Sequence, residues 1–154
     1  MNVEVSGVTR SDIDEQELAE FVADILEREC VDRDSGLMIS FVDTDAMAVL
    51  NAEHMNRKGP TDVLSFPIED AAPGHPPVRL EGGPPLELGD VIICADVVVA
   101  NADENGVAFD SELHLMVTHG VLHILGWDHQ NEGEAEAMEI REAEHLATVG
   151  LARR

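Results

Sequence analysis

A chain of 154 residues, 44% apolar and 27% charged, reads as one soluble globular domain, 1–154, with a core of its own. No segment approaches a membrane span, and the opening Met1-Asn2-Val3-Glu4-Val5-Ser6 has neither the basic region nor the apolar run of a signal peptide. The formal charge of −23 comes from 32 acidic residues against eight Arg and the single Lys58, so most of the surface repels nucleic acid at low salt.

No Lys or Arg falls between Arg79 and Arg141, where thirteen acidic residues do. Such a surface suits a salty cytoplasm, in which charges are screened. Cys30 and Cys94 are far apart and form no C-x-x-C pair, so reduced thiols in a cytoplasm are expected.

In chain order, residues 2–8 alternate weakly as a strand. Ser11 is the expected cap of a helix over about 12–30, with Leu18, Phe21, Val22, Ile25 and Leu26 at helical spacing. Leu37, Ile39 and Phe41 alternate in a second strand, 36–42. Thr44 is the expected cap of a helix ending near His54. Strands follow over 61–68 and 88–94, then helices over about 95–105, 110–126 and 133–149. The order β-α-β-α-β-β-α-α-α predicts an α+β domain with one four-stranded mixed sheet and about five helices.

Residues 70–87 hold five of the seven prolines and three glycines. A stretch this irregular inside a compact domain is a lid over a site or, more ordinarily, a tolerated hairpin insertion.

The informative segment is His119-Gly120-Val121-Leu122-His123-Ile124-Leu125-Gly126-Trp127-Asp128-His129. Positions i and i+4 share a helix face, so His119 and His123 can grip one ion. Gly126 can take the left-handed conformation that ends a helix and swing His129 back as a third ligand. Leu115, Met116, Val117, Val121, Leu122, Ile124 and Leu125 make this central helix apolar nearly all round, hence buried. Buried imidazoles need partners, and a metal satisfies both at once. Three neutral imidazoles with no fourth protein ligand describe a catalytic zinc site with an open position for water. Zinc peptidases with this spacing carry Glu directly after the first histidine. Gly120 stands there instead, so the usual peptidase route is disfavoured, and a packed backbone or a substrate needs the space.

The remaining polar residues read more plainly. Asp62, Ser65 and Asp90 are expected as caps or hydrogen-bond anchors. Met138 and Cys94 are expected in the core, and His54, His75, His114 and His145 have no ligand spacing.

Four motifs in order resemble the bacterial YbeY endoribonucleases. Pro60-Thr61-Asp62-Val63-Leu64-Ser65-Phe66-Pro67 is similar to the family's P-T-D-V-L-S-F strand, and Leu88-Gly89-Asp90-Val91-Ile92-Ile93 to its L-G-D-I-x-I strand. His119 to His129 is similar to its H-G-x-L-H-L-x-G-Y-D-H signature, with Trp127 where Tyr is usual. Glu134, Met138 and Glu142 fall at its spacing in the closing helix. The resemblance implies that His119, His123 and His129 bind one zinc. It implies a single-strand-specific endoribonuclease in ribosomal RNA maturation, notably at the small-subunit 3′ end, and in ribosome quality control. Ribosomal RNA and ribosomal proteins are the partners so implied.

The family usually has an Arg before the P-T-D-V-L-S-F strand. Arg57 is the candidate here, with Lys58 as the alternative. An Arg fork can bind two phosphate oxygens and stabilise charge gathering on them. With no Glu after His119, the general base is either a zinc-bound hydroxide or Asp128, which reads more ordinarily as a turn residue or a partner to a histidine. The rival functions are a zinc hydrolase of peptides or amides, and a non-enzymatic ribosome assembly factor with structural zinc.

Overall fold

The computed structural model describes all 154 residues, Met1–Arg154. Its elements run β1 (Asn2–Ser6), α1 (Glu15–Arg28), β2 (Ser35–Phe41), α2 (Thr44–Met55), β3 (Val63–Pro67), β4 (Leu86–Ile93), α3 (Ala95–Asn105), α4 (Phe109–Ile124) and α5 (Glu132–Ala147). The sheet order is β1-β2-β4-β3, with β1, β2 and β4 parallel and β3 antiparallel to β4. This is the expected α+β domain with one four-stranded mixed sheet and five helices.

Two helix starts differ from expectation. Ser11 lies in a turn, where Arg10 and Asp12 pair at 2.8 Å. The helix begins beyond it, capped by Asp14, whose carboxylate accepts the Glu17 N–H at 3.1 Å. Asp43 rather than Thr44 caps α2, accepting the Ala46 N–H at 2.8 Å. A carboxylate caps through the same hydrogen bond as a hydroxyl and adds charge complementary to the helix dipole.

The sheet carries an apolar layer on each face. Val91 and Ile93 of β4 join the main core with Leu37, Ile39 and Phe41 of β2, the expected stripe of α1 and much of α4. Their neighbours Leu64, Phe66 and Ile92 turn the other way, onto Met47 and Leu50 of α2. Period-two alternation in the strands decides this division. Cys94 is fully buried in the smaller cluster and Met138 is buried in α5.

Helix α4 is buried nearly all round, as its composition requires, and lies against β3 and β4. The close approach is made at Gly120. A Cβ there would stand 2.7 Å from Val91 Cγ1 and 3.0 Å from Val63 Cγ2. The Ser65 hydroxyl donates to the Gly120 carbonyl at 2.8 Å, adding a polar tie between strand and helix. Of the two reasons for glycine at this position, the packed backbone is the one realised.

Of the expected irregular stretch 70–87, residues 70–85 form an excursion between β3 and β4, while Leu86 and Glu87 already belong to β4. Ala72 and His75 exchange backbone hydrogen bonds, and Arg79 pairs with Asp34 at 3.2 Å. Its first residues, Ala71 and Ala72, lie against Gly126.

The Gly120 contact sets a measurable sign. Alanine gains about 1 kcal/mol of helix propensity over glycine. Overpacking against two stiff β-branched side chains costs about 1–3 kcal/mol. Gly120→Ala should therefore lower the midpoint of chemical denaturation. Val91→Ala combined with Gly120→Ala should lose less stability than the sum of the two single losses. Additive losses would show that the two side chains do not compete for this space.

Candidate metal centre and its cleft

The last turns of α4 place His119 and His123 on one face, and the chain then reverses at Gly126, whose φ is +91°. That reversal carries His129 back over the helix end. Its ring stacks on that of His119 at 5.3 Å and meets that of His123 edge-on at 5.0 Å, centroid to centroid. One nitrogen from each of the three rings lies within 4.8 Å of the others.

The outward nitrogens fix the tautomers. His119 Nδ1 donates to Glu142 Oε2 at 2.8 Å, and His123 Nδ1 donates to the Trp127 carbonyl at 2.8 Å. Both Nε2 lone pairs then face inward, 3.0 Å from each other. Two lone pairs at that distance repel unless a cation lies between them, so the donor set fits a metal ion. Burial pushes the His123 imidazole below its ordinary pKa, and the neighbouring His119 adds to this against the Trp127 hydrogen bond. The ring is thereby held in the neutral form that a metal requires.

Glu142 completes a carboxylate–histidine pair from α5. Burial pushes its carboxyl up, but hydrogen bonds from His119 and Arg153 outweigh this and hold it below the usual carboxylate range. Its second oxygen accepts from Arg153 Nε at 2.9 Å.

The histidines open into a cleft of about 900 Å³ between α4, β3, the end of α2 and the segment after α5. Arg57 lines it and Lys58 does not. The Arg57 side chain is exposed, with no hydrogen bond or ion pair in the protein. Arg79 lies elsewhere, paired with Asp34, and none of residues 70–87 lines the cleft. Asp128 is in the cleft wall, where its Oδ1 accepts the His129 N–H at 2.8 Å. Asp62 is an anchor as expected, accepting from the Val63 N–H at 2.8 Å and Asn101 Nδ2 at 3.2 Å.

Two cleft residues escaped the sequence reading. Arg153 and Arg154 follow the last helix, and no spacing rule connects them to a histidine motif more than twenty residues earlier. Arg154 forms a double hydrogen bond with buried Glu112 of α4, at 2.6 and 3.2 Å. Two of the other histidines are structural: His114 sits between the Asp110 carbonyl and Glu17, and His145 between Glu29 and Arg28.

A family model described as "Endoribonuclease YbeY" matches residues 5–150. The chain belongs to the YbeY family. An Endoribonuclease YbeY from Acidothermus cellulolyticus is 36% identical over 155 aligned positions, covering 100% of this chain and 94% of that one. Another from Mycobacterium sp. (strain KMS) is 37% identical over 138 residues, covering 90% of this chain and 77% of the relative. One from Frankia casuarinae is 40% identical over 128 residues, 83% of this chain and 64% of the relative. The solution structure of a Thermotoga maritima protein has the same fold, with a TM-score of 0.62 at 24% identity over 97% of this chain and 91% of that one.

The geometry sets an order of losses on substitution. His123→Ala should remove most of the bound metal from purified protein. Glu142→Gln should keep it but weaken affinity roughly 10–100-fold, as loss of an outer partner commonly does. Chelator competition followed by elemental analysis measures both. Unchanged metal content in His123→Ala would remove the basis of this centre.

Proposed function

We propose that the chain is a zinc-dependent endoribonuclease that cuts single-stranded RNA in ribosomal RNA maturation, at the small-subunit 3′ end, and in ribosome quality control. It works in the cytoplasm, holds one zinc per chain on His119, His123 and His129, and meets ribosomal RNA together with ribosomal proteins. No helix is long and apolar enough to cross a membrane. The observation that carries the reading is the convergence of three inward-facing imidazoles with an unpartnered arginine in one open cleft.

Zinc bound there supplies Lewis acidity toward a phosphoryl oxygen and a water acidified to a pKa of about 7. The chain's own residues supply the rest. Only Arg33, Arg57 and Lys58 among the nine cationic residues have side chains without a protein partner, and of these Arg57 alone lines the cleft. Its fork is free to bind two non-bridging oxygens and to hold the charge that grows on them. Asp128 is the proton acceptor. Glu142 and Asp62 each have both oxygens engaged, whereas only Oδ1 of Asp128 is committed.

The peptidase reading is disfavoured by packing as well as by sequence. The position that would carry its glutamate is Gly120, pressed against Val91 and Val63. A purely structural zinc is disfavoured by the open cleft, since structural sites are usually closed by a fourth ligand.

Arg57→Ala should keep its metal and fold while losing cleavage of a single-stranded RNA. The loss should be about 2–4 kcal/mol of transition-state stabilisation, by analogy with a deleted oxyanion donor. Lys58→Ala should cleave normally. The reverse pattern in single-turnover assays would move the phosphate clamp to Lys58.

Charge makes a second prediction. The cleft's Arg57, Arg153 and Arg154 are balanced by Asp62, Asp128 and Glu142, and the surface around it carries the −23 excess. Encounter with RNA is therefore opposed at long range, and salt relieves it as the Debye length falls from about 30 Å at 0.01 M to about 10 Å at 0.1 M. Cleavage of a short single strand should rise or stay flat across that range. A steep fall would mean that basic contacts dominate association.

A further inference from the structure

The segment after α5 belongs to no strand or helix, yet it is tied down at three points. The chain turns at Gly150, and the Leu151 N–H bonds back to the Leu146 carbonyl at 3.0 Å while its side chain packs on the main core. Arg154 clamps Glu112, a carboxylate with no exposed side-chain surface, two turns before His119 on α4. Between these anchors Arg153 reaches Glu142, whose side chain is 2% exposed. Arg153 also approaches Glu139 at 3.5 Å, and its Nη1 donates to the Arg154 carbonyl at 3.0 Å.

We infer that residues 151–154 are a strap whose Arg153 positions Glu142, and through it His119, and so sets the affinity of the metal centre. This rests on the reading of His119, His123 and His129 as a metal site. Glu142 has two oxygens in a nearly water-free place. One takes the His119 Nδ1–H at 2.8 Å; the other takes Arg153 Nε–H at 2.9 Å. With both oxygens held, the carboxylate cannot rotate. The His119 ring it holds is then fixed with Nε2 aimed at His123. Without Arg153, one oxygen of a buried carboxylate is left unsatisfied, a costly state that is relieved by swinging toward water. That movement would release the His119 ring from its ligand orientation. Arg154 acts one step further out, holding the strap down on α4. Arg153 is thus a positioning residue, acting through a carboxylate, as partners outside a ligand set commonly do.

The test is zinc titration of the full chain against a chromophoric chelator, run on the parent, Arg153→Ala, Arg153→Lys and Arg154→Ala, with melting of each metal-free protein measured alongside. Cobalt(II)-loaded samples report ligand geometry by their visible spectra. Arg153→Ala should bind zinc roughly tenfold more weakly with an altered cobalt spectrum, at the lower end of what loss of an outer partner produces. Arg153→Lys, which restores a cation beside Glu142, should recover most of the affinity, and Arg154→Ala should show a smaller loss. Equal zinc affinity in the parent and Arg153→Ala, whether or not the metal-free protein melts lower, overturns the strap. So does an affinity loss that Arg153→Lys fails to recover. Failure of the parent itself to bind zinc overturns the metal reading and this proposal with it. RNA cleavage enters none of these measurements.

Discussion

The close contact of α4 with the sheet at Gly120 is the constraint on which the rest depends. Because no Cβ intervenes, the helix backbone settles onto Val91 and Val63, and Ser65 ties its carbonyl to β3. One residue to the N-terminal side, His119 emerges at the edge of that contact, and His123 stands a turn beyond it. Two of the three histidines that could hold a metal are therefore mounted on the most deeply buried helix of the molecule, beside the strand that forms one wall of the cleft. Rigid support of this kind holds ligands in place better than loops do. It also explains why a helix with glycine at its middle is stable: its free energy comes from burial on all sides rather than from propensity.

A second theme is how an acidic chain uses its few cations. Arg141, Arg153 and Arg154 each clamp a buried carboxylate, respectively Glu29, Glu142 and Glu112, while Arg10 and Arg79 pair with Asp12 and Asp34. Leaving any one of the buried carboxylates unpaired would be costly, so these arginines are committed to the fold. An unpartnered guanidinium in the cleft then stands out. Arg33 and Lys58 are also free, but only Arg57 is both free and in the cleft, and overall charge could not have singled it out.

Much of the architecture is legible because local rules and burial agree. The stripe of α1, the alternation of β2, the all-round apolar character of α4 and the left-handed turn at Gly126 each fold as their residues require. The caps at Ser11 and Thr44 were misplaced for a local reason. Several residues near each helix start can cap it, and the choice follows from which neighbours are already engaged, as Asp12 is by Arg10. The histidine spacing is legible too, since i and i+4 on one helix meet whatever the fold around them.

By itself, the sequence determined the element order, the core stripes, the family motifs and the three histidines that can converge, because each rests on periodicity or short-range geometry. Only the tertiary structure decided what surrounds them. Arg57 rather than Lys58 faces the cleft; Glu142 stands behind His119; Arg153 and Arg154 return from beyond α5 to clamp carboxylates on two helices. It also decided which of two reasons holds for Gly120, a sheet rather than a substrate. The carboxylate clamps of Arg153 and Arg154 join residues 11 and 42 positions apart, and Ser65 meets Gly120 across 55. Pairings of that kind follow from how layers pack, which no local pattern encodes.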